Sequence, residues 1–127
     1  MNKGKVLAID YGKKMVGLAS GDLELGMALP RDVLLNKGRD KLLAEIDQIC
    51  RQLEVVLVVL GMPDAANPIV KEINQFARAL EASGHKVEFV DEDFSSIEAK
   101  QMMGDHLGGR LDANAAQVIL QRFFDRV

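Results

Sequence analysis

The fold is decided by the stretch Lys5-Val6-Leu7-Ala8-Ile9-Asp10-Tyr11-Gly12. Its apolar part predicts a buried strand, after which Asp10 marks the strand end and Gly12 permits a sharp turn. A second apolar run, Gly17-Leu18-Ala19, follows closely and predicts a β-hairpin. A carboxylate fixed at the end of a rigid strand is suited to hold a metal ion, but Asp is also a common turn residue. From this stretch alone, the turn residue is the better interpretation of Asp10.

The composition predicts a single soluble globular domain over residues 1–127, since 48% of the residues are hydrophobic and 28% are charged. The net charge of −3 requires that any contact with nucleic acid use a local basic patch. The one cysteine, Cys50, excludes an internal disulfide and a cysteine-cluster zinc site. It lies on an apolar helical stripe, which predicts a buried structural thiol in a reducing compartment.

No signal peptide or membrane span is expected from the sequence. The first apolar run turns acidic at Asp10, and the longest one, Val55 to Leu60, is far too short to cross a bilayer. These features predict a cytoplasmic protein that does not contact a membrane.

The period of the apolar residues predicts the element order βββαβαβαα. Two further strands, Met15–Ser20 and Leu25–Leu35, follow the first, and Pro30 marks the latter as an edge or bulged strand. Helical spacing then alternates with β-branched runs. The predicted elements are a helix over 42–53, a doubly buried parallel strand over 55–60, a helix over 69–80 and a strand over 87–90.

The remaining part of the sequence predicts two helices. Ser95 and Glu98 form a capping-box pattern, which predicts a helix from Ile97 to about Gly104. The Gly108-Gly109-Arg110 segment predicts a mobile loop, after which Asp112 is expected to cap a final helix. The core stripe of that helix consists of Ala115, Ala116, Ile119, Leu120 and Phe123.

Three acidic residues occupy related ends of these elements. Asp10 ends the first strand, Glu92 follows the fifth, and Asp112 opens the final helix. Taken singly, Glu92 is better read as a solvated acid and Asp112 as a helix cap, but ligands gather at the carboxyl ends of parallel strands. Converging carboxylates suit Mg²⁺, and a pair of such ions promotes phosphodiester hydrolysis. Together, the three residues therefore become candidate metal ligands.

The sequence resembles the YqgF family, whose members are described as pre-16S rRNA nucleases or Holliday-junction-resolvase-like proteins. The resemblance spans nearly the whole chain. It rests on five segments: 8–12, 17–19, Gly61-Met62-Pro63, Asp91-Glu92, and the run from Asp112 to Gln121.

The resemblance implies an α/β, ribonuclease H-like fold, with a five-stranded mixed sheet in the order 3-2-1-4-5 flanked by helices. It also implies phosphodiester hydrolysis with Mg²⁺ or Mn²⁺, with Asp10, Glu92 and Asp112 as the catalytic and metal-binding residues. The implied partners are nucleic acid, either pre-rRNA or branched DNA, and ribosomal precursor particles.

The sequence departs from the family pattern at basic positions. Lys14 is kept, but Met15 stands where the family has the second basic residue, and Asp93 stands where it has an arginine. The glycine-containing acidic loop after Pro63 is changed to Asp64-Ala65-Ala66-Asn67. An arginine would neutralise a phosphate, whereas Asp93 reverses that charge. Both outcomes stay open: Asp93 as a further metal ligand, or Asp93 as a cause of weaker substrate binding.

Lys14, Ser95 and Arg110 are the candidate substrate-binding residues. Lys14 and Arg110, with Lys13 and Arg122, form the candidate phosphate-binding patch, although scattered solvated charges are an equal reading. Ser95 is suited to bind a phosphate at a helix N-terminus or simply to cap the helix. His106 is interpreted as a surface histidine, with proton transfer as the alternative.

Four functions remain under comparison. The first is an endonuclease that matures the 5′ end of 16S rRNA, and the second is a resolvase of four-way DNA junctions, which requires a homodimer. A catalytically weak RNA-binding module is the third. The fourth, an actin-like or sugar-kinase ATPase suggested by residues 10–12, is disfavoured because such enzymes need two domains. The sequence leaves a monomer and a homodimer equally open.

Overall fold

A computed structural model of the chain describes residues 4–91 and 108–126, with side chains in the second range described from residue 114. Within these ranges there are five strands and three helices. Their bounds are β1 Lys5–Asp10, β2 Met15–Asp22, β3 Met27–Leu35, α1 Arg39–Leu53, β4 Val55–Met62, α2 Ile69–Ala82, β5 Val87–Asp91 and α3 Gly108–Arg126.

The five strands form one mixed sheet in the order β3-β2-β1-β4-β5, which confirms the expected order. The predicted hairpin is present, since β1 and β2 are antiparallel with Asp10 opposite Gly17. β4 runs parallel to β1, and β5 runs parallel to β4. The carboxyl ends of β1, β4 and β5 therefore lie along one edge of the sheet, which we call the carboxyl edge.

The edge strand β3 contains the bulge that Pro30 predicted. Its pairing with β2 shifts register between Gly17 and Ala19, so that Arg31 and Asp32 together oppose Leu18. The strand begins at Met27 rather than at Leu25, which lies in the preceding turn and is 75% exposed. The sequence prediction therefore placed the start of this strand too early, because Leu25 is apolar but not buried.

Helices cover both faces of the sheet, and the alternation of side chains along β1 shows how. Leu7 and Ile9 pack against α1 and α2, whereas Val6 and Ala8 pack against α3. The stripe predicted for the final helix is confirmed, because its five members are all buried. The central strands are thus buried on both faces, as a parallel sheet requires.

α3 runs antiparallel to β1 across its face of the sheet. The Gln121 side chain donates to the Gly26 carbonyl oxygen at 3.0 Å, and the Phe124 ring lies over Gly21. Gly21 pairs with Val6, near the start of β1, so the later turns of α3 lie at the edge opposite the carboxyl edge. The first turns of α3 therefore extend toward the carboxyl edge.

The predicted loop at residues 108–110 and the predicted cap at Asp112 are both wrong. α3 already includes Gly108 and Gly109, so Asp112 lies within the helix rather than before it. Glycine costs only about 1 kcal/mol in a helix interior, and a helix anchored by a buried stripe can extend through it. The helix predicted from Ile97 lies outside the described residues.

Candidate functional site

Asp10 ends the central strand on the face that α3 covers. Val6 and Ala8 point toward α3, and the same alternation places Asp10 on that face, half-buried. Asp91 ends β5, but it shares its side of the strand with Val87, which packs toward α1 and α2. The two strand-end aspartates consequently lie on opposite faces of the sheet.

Glycines flank Asp10 on both neighbouring strands. Gly17 of β2 is its direct partner, and Gly61 of β4 follows Leu60, the partner of Ile9. Because side chains alternate in register, both glycines lie on the same face as Asp10. The carboxylate consequently has no side chain directly beside it on either neighbouring strand. The sequence prediction missed these two residues, although the glycine ending an apolar run was a visible signal.

The row that contains Asp10 and Gly61 continues to Val90, the partner of Gly61 on β5. Two strand spacings, about 10 Å, separate β1 from β5, and glycine occupies the intervening position. Glu92 comes two residues after Val90 and lies outside the described residues, as do Asp93, Ser95 and His106.

The backbone of residue 112 lies in α3, one turn before Ala116. Ala116 packs in the same cluster as Ala8 on β1, and α3 runs toward the carboxyl edge in the direction of residue 112. The position of Asp112 is therefore displaced from Ala116 toward the edge where Asp10 lies. Residue 110 lies further along the same direction. The side chains of Asp112 and Arg110 are not among those described.

Within residues 4–91 and 114–126, no three His, Cys, Asp or Glu side chains cluster closely enough to hold a metal ion. Asp10 is the only member of the predicted triad whose side chain belongs to these ranges. The assignment of Asp10, Glu92 and Asp112 as a common site accordingly stays a prediction.

The turn after Asp10 is fixed by the segment between β3 and α1. The Asn36 side-chain amide donates to the Gly12 carbonyl oxygen at 2.9 Å, and the Asn36 backbone N–H donates to the Lys14 carbonyl oxygen at 2.8 Å. A Cβ on Gly12 would approach the Met15 carbonyl oxygen to 2.3 Å, so the turn requires glycine. These contacts hold the end of β1 in one conformation.

Basic side chains border this turn in a cleft of about 740 Å³, which we call the basic cleft. Its cations are Lys13 from the turn, Lys37 from the β3–α1 segment, and Arg39 and Lys41 from the first turn of α1. Glu72 of α2 also lines it, accepts a 3.4 Å hydrogen bond from the Tyr11 hydroxyl and pairs with Lys13 at 4.0 Å. The sequence prediction missed three of the four cations, although Lys37, Arg39 and Lys41 recur at every second position.

Lys14 and Arg122, two other basic residues of the predicted patch, are not among the residues that line the basic cleft. Lys14 is exposed beside the half-buried Met15, but it does not line the cleft. Arg122 follows Gln121, whose side chain contacts the edge opposite the carboxyl edge. The four-residue patch, Arg122 included, stays a prediction.

Cys50 is a buried thiol, as predicted. Burial, with a smaller contribution from the nearby Asp47 carboxylate, raises the pKa of the thiol from 9.0 to about 11. Asp47 also pairs with His85, which links α1 to the segment before β5. A thiol with this pKa stays protonated at neutral pH, which excludes Cys50 as a nucleophile.

None of the helices in the described part of the chain has the length and apolar character needed to cross a membrane.

Residues 4–126 match the family model described as "RuvX: Holliday junction resolvase". The chain belongs to this family. A protein of Nitrosospira multiformis named "Putative pre-16S rRNA nuclease" is 37% identical over 97% of this chain and 89% of its own length. A Bordetella petrii protein of the same name is 35% identical over 98% of both chains. The family description and the names of these relatives thus both refer to a nuclease.

Solved structures of resolvases share the fold. Thermus thermophilus RuvC in complex with a Holliday junction substrate has a TM-score of 0.62 at 13% identity, over 97% of this chain and 94% of that one. The Fowlpox virus resolvase in complex with Holliday junction DNA has a TM-score of 0.64 at 13% identity, over 96% and 97%. The fold is therefore ribonuclease H-like, as the resemblance implied.

Proposed function

We propose that this protein is a metal-dependent endonuclease that processes the 5′ end of pre-16S rRNA. The single observation that carries the proposal is Asp10, a half-buried carboxylate at the carboxyl edge with a glycine beside it on each neighbouring strand. The names of the relatives support the substrate, because those that match nearly end to end are pre-16S rRNA nucleases by name.

The residues present suit a hard divalent cation. Carboxylate oxygens are the ligands that Mg²⁺ and Mn²⁺ prefer, and glycine occupies the position beside Asp10 on each neighbouring strand. Asp10 would hold the ion, and Glu92 and Asp112 would complete the ligand set. When bound, the ion would supply a more acidic water and charge stabilisation at the scissile phosphate.

The chain itself holds Asp10 in a fixed position. The end of β1 is held by pairing on both sides, and the turn after it is fixed through Asn36 and Gly12. Asp10 consequently loses little freedom when it binds an ion or orients a water molecule. Rigid placement of this kind is the main requirement for catalysis by positioning.

The proposal is tested with a 5′-extended 16S precursor RNA and a four-way DNA junction, each with Mg²⁺ or Mn²⁺. We expect cleavage of the RNA by the wild-type protein and a loss of at least about 100-fold in Asp10→Asn, which removes an anionic ligand. Asp125→Asn is the matched control, because Asp125 is exposed near the end of α3 at the opposite edge. Undiminished cleavage by Asp10→Asn would remove Asp10 from the site.

Metal binding has its own readout. Saturating Mn²⁺ should raise the melting temperature of the wild-type protein, since a ligand that binds only the folded state stabilises it. Asp10→Asn should show a much smaller shift, and Asp125→Asn the wild-type shift. Equal shifts in all three proteins would contradict a metal site at Asp10.

Resolution of Holliday junctions is the second candidate function, and the description of the matching family model favours it. It predicts cleavage of the four-way junction at symmetrical positions by a dimer, with no cleavage of the precursor RNA. Binding of the RNA without cleavage under any metal would instead favour a catalytically weak RNA-binding module.

A further inference from the structure

We propose that a cationic surface on the α1 and α2 side of the carboxyl edge binds the sugar-phosphate backbone of nucleic acid beyond the bond cleaved at Asp10. The surface consists of the basic cleft and a second cleft of about 570 Å³, which we call the α2 cleft. The α2 cleft lies between the β4–α2 segment and the first half of α2, and Gln75 lines both clefts. This inference rests on the proposed function only in identifying the bound strand as the substrate.

The charge of this surface is opposite to that of the whole chain. Four cations and two carboxylates, Asp40 and Glu72, line the basic cleft, whereas the charged residues among the described ones that line the α2 cleft are Lys71 and Arg78. All six cations are exposed, on a chain whose net charge is −3. An acidic protein that binds a polyanion needs such a local concentration of positive charge.

The position of the surface relative to Asp10 is fixed by the fold. Tyr11 follows Asp10 directly, lines the basic cleft and packs its ring against Phe76 of α2 at 5.5 Å. Asn36 ties the β3–α1 segment, which carries Lys37, to the Gly12 carbonyl oxygen. A strand that reaches Asp10 from this side must therefore pass over the basic cleft first.

The lining of the clefts indicates which part of a nucleic acid they contact. Among the residues that the structure describes, Tyr11 is the one aromatic residue that lines either cleft, and its ring packs against the core. The described lining thus offers no platform on which bases stack. The ammonium and guanidinium groups of lysine and arginine, together with amide side chains, instead bind phosphate oxygens. Such contacts give affinity for nucleic acid without a preference for its sequence.

Two joined clefts fit an extended polyanion better than a single small anion. Lysine and arginine residues continue from Lys13 across Gln75 to Arg78, so successive phosphates along one strand find successive cations. The bound segment is expected to lie on the opposite side of the sheet from α3. The surface would thereby hold the substrate outside the reacting site and leave the space beside Asp10 open.

The experiment compares two triple variants with the same charge. The test variant is Lys37→Gln/Arg39→Gln/Lys41→Gln, and the control is Lys5→Gln/Arg51→Gln/Lys86→Gln, whose positions are exposed at the start of β1, the end of α1 and the start of β5. Each variant removes three exposed cations, but the control positions lie at the edge opposite the carboxyl edge. Binding to a fluorescent 5′-flank RNA and to a labelled four-way junction is measured in EDTA across a salt series, so that no cleavage occurs.

We expect the test variant to bind roughly 10- to 100-fold more weakly than the wild-type protein at 0.1 M salt, with a salt slope smaller by about 2 on single-stranded RNA. The control should bind within about 3-fold of the wild-type protein, with an unchanged slope. Equal losses in both variants would show that net charge alone matters and would overturn the proposal. So would wild-type binding by the test variant, or no binding by the wild-type protein at low salt.

A failure of this surface is distinguishable from a failure of the proposed function. If the wild-type protein cleaves neither substrate but the test variant alone loses binding, the surface stands and the nuclease proposal falls. If the wild-type protein cleaves the RNA and the test variant binds it normally, the nuclease stands and the surface falls. Melting temperatures of both triple variants confirm that the fold is retained.

Discussion

Asp10 has a glycine beside it on each neighbouring strand. Many acidic side chains are exposed, but Asp10 lies half-buried under α3, with Gly17 and Gly61 in register on either side. The sequence predicted Asp10 as a strand end and a candidate metal ligand. It did not predict the space around Asp10, because strand register follows from tertiary pairing that a local pattern does not contain.

Gly61→Val should remove activity without unfolding the protein. The new side chain would lie in the row between Asp10 and Val90 and fill the space proposed for the ion and the phosphate. We expect cleavage to fall by at least about 100-fold, the scale of a misplaced reacting group. The readout is the initial rate of RNA cleavage at a temperature where the variant is folded.

Ala19→Val is the control for this change. It introduces the same side chain on the same face, but beside Ala8 rather than beside Asp10. Both variants bear an overpacking cost of about 1–3 kcal/mol in unfolding free energy. Equal rates of cleavage in the two variants would mean that the space at Gly61 has no role.

The raised pKa of Cys50 predicts a loss of stability in alkali. The folded protein holds the thiol proton up to about pH 11, whereas the unfolded chain releases it near 9.0. Stability contributed by the neutral thiol is therefore complete below pH 9 and declines as the pH rises toward 11. Urea unfolding between pH 7.5 and 10.5 should show a steeper decline for the wild-type protein than for Cys50→Ala.

All other ionisable groups are common to both proteins and cancel in the comparison. Identical pH dependence of the unfolding free energy in the two proteins would contradict the assigned pKa. Thiol-specific reagents should react with Cys50 at neutral pH only after denaturant is added.

At the scale of elements, the strands and the two helices α1 and α2 were well predicted, because β-branched runs and helical stripes carry a strong periodic signal. The helix predicted over 69–80 and the strand predicted over 87–90 agree with α2 and β5 to within a residue or two. The start of α3 was not predicted, since Gly108 and Gly109 look like a loop when tertiary anchoring is ignored. The first helix begins at Arg39, whose exposed side chain contributes nothing to an apolar stripe.

The close approach of α3 to β2 depends on Gly21. A Cβ at this position would lie 2.4 Å from the Met27 carbonyl oxygen and 2.7 Å from the Phe124 ring. Gly21→Ala should therefore destabilise the fold by about 1–3 kcal/mol, measured as the free energy of unfolding in urea. Combining it with Phe124→Leu should rescue only part of the loss, because the backbone carbonyl cannot move aside.

Gly26→Asn serves as the control for Gly21→Ala. Gly26 has a φ of 65°, which asparagine tolerates, and nothing lies within 4 Å of a Cβ placed there. We expect a change below about 1 kcal/mol. A loss at Gly26 as large as that at Gly21 would indicate that the whole β2–β3 turn, rather than helix contact, limits stability.

At the scale of the whole molecule, one helix completes one face of the sheet. Seven buried strand residues pack with α3: Val6, Ala8, Ala19, Ala28, Leu57, Val59 and Val90. A chain that ends at Leu107 would remove the packing that α3 gives these seven residues. At about 1.5–3 kcal/mol for each large apolar side chain, the loss is comparable to the whole stability of an ordinary domain.

We therefore expect the chain of residues 1–107 to lack a cooperative unfolding transition and to bind a hydrophobic dye. Circular dichroism during urea titration and dye fluorescence measure these properties. Leu120→Ala, which keeps α3 but removes part of its buried stripe, should unfold cooperatively with a loss of about 2–5 kcal/mol. Cooperative unfolding of the shortened chain would show that the α1 and α2 side forms a stable unit by itself.

The position of α3 in the sequence also determines when the protein becomes competent during its synthesis. Asp10 leaves the ribosome early, but the helix that covers its face of the sheet is translated only after all five strands. Domains fold as units while the chain emerges, so a nascent chain that still lacks α3 has its first strand exposed and its site unformed. A protein built in this order would acquire nuclease activity only after α3 has been translated, which delays any cleavage of RNA near the ribosome that makes it.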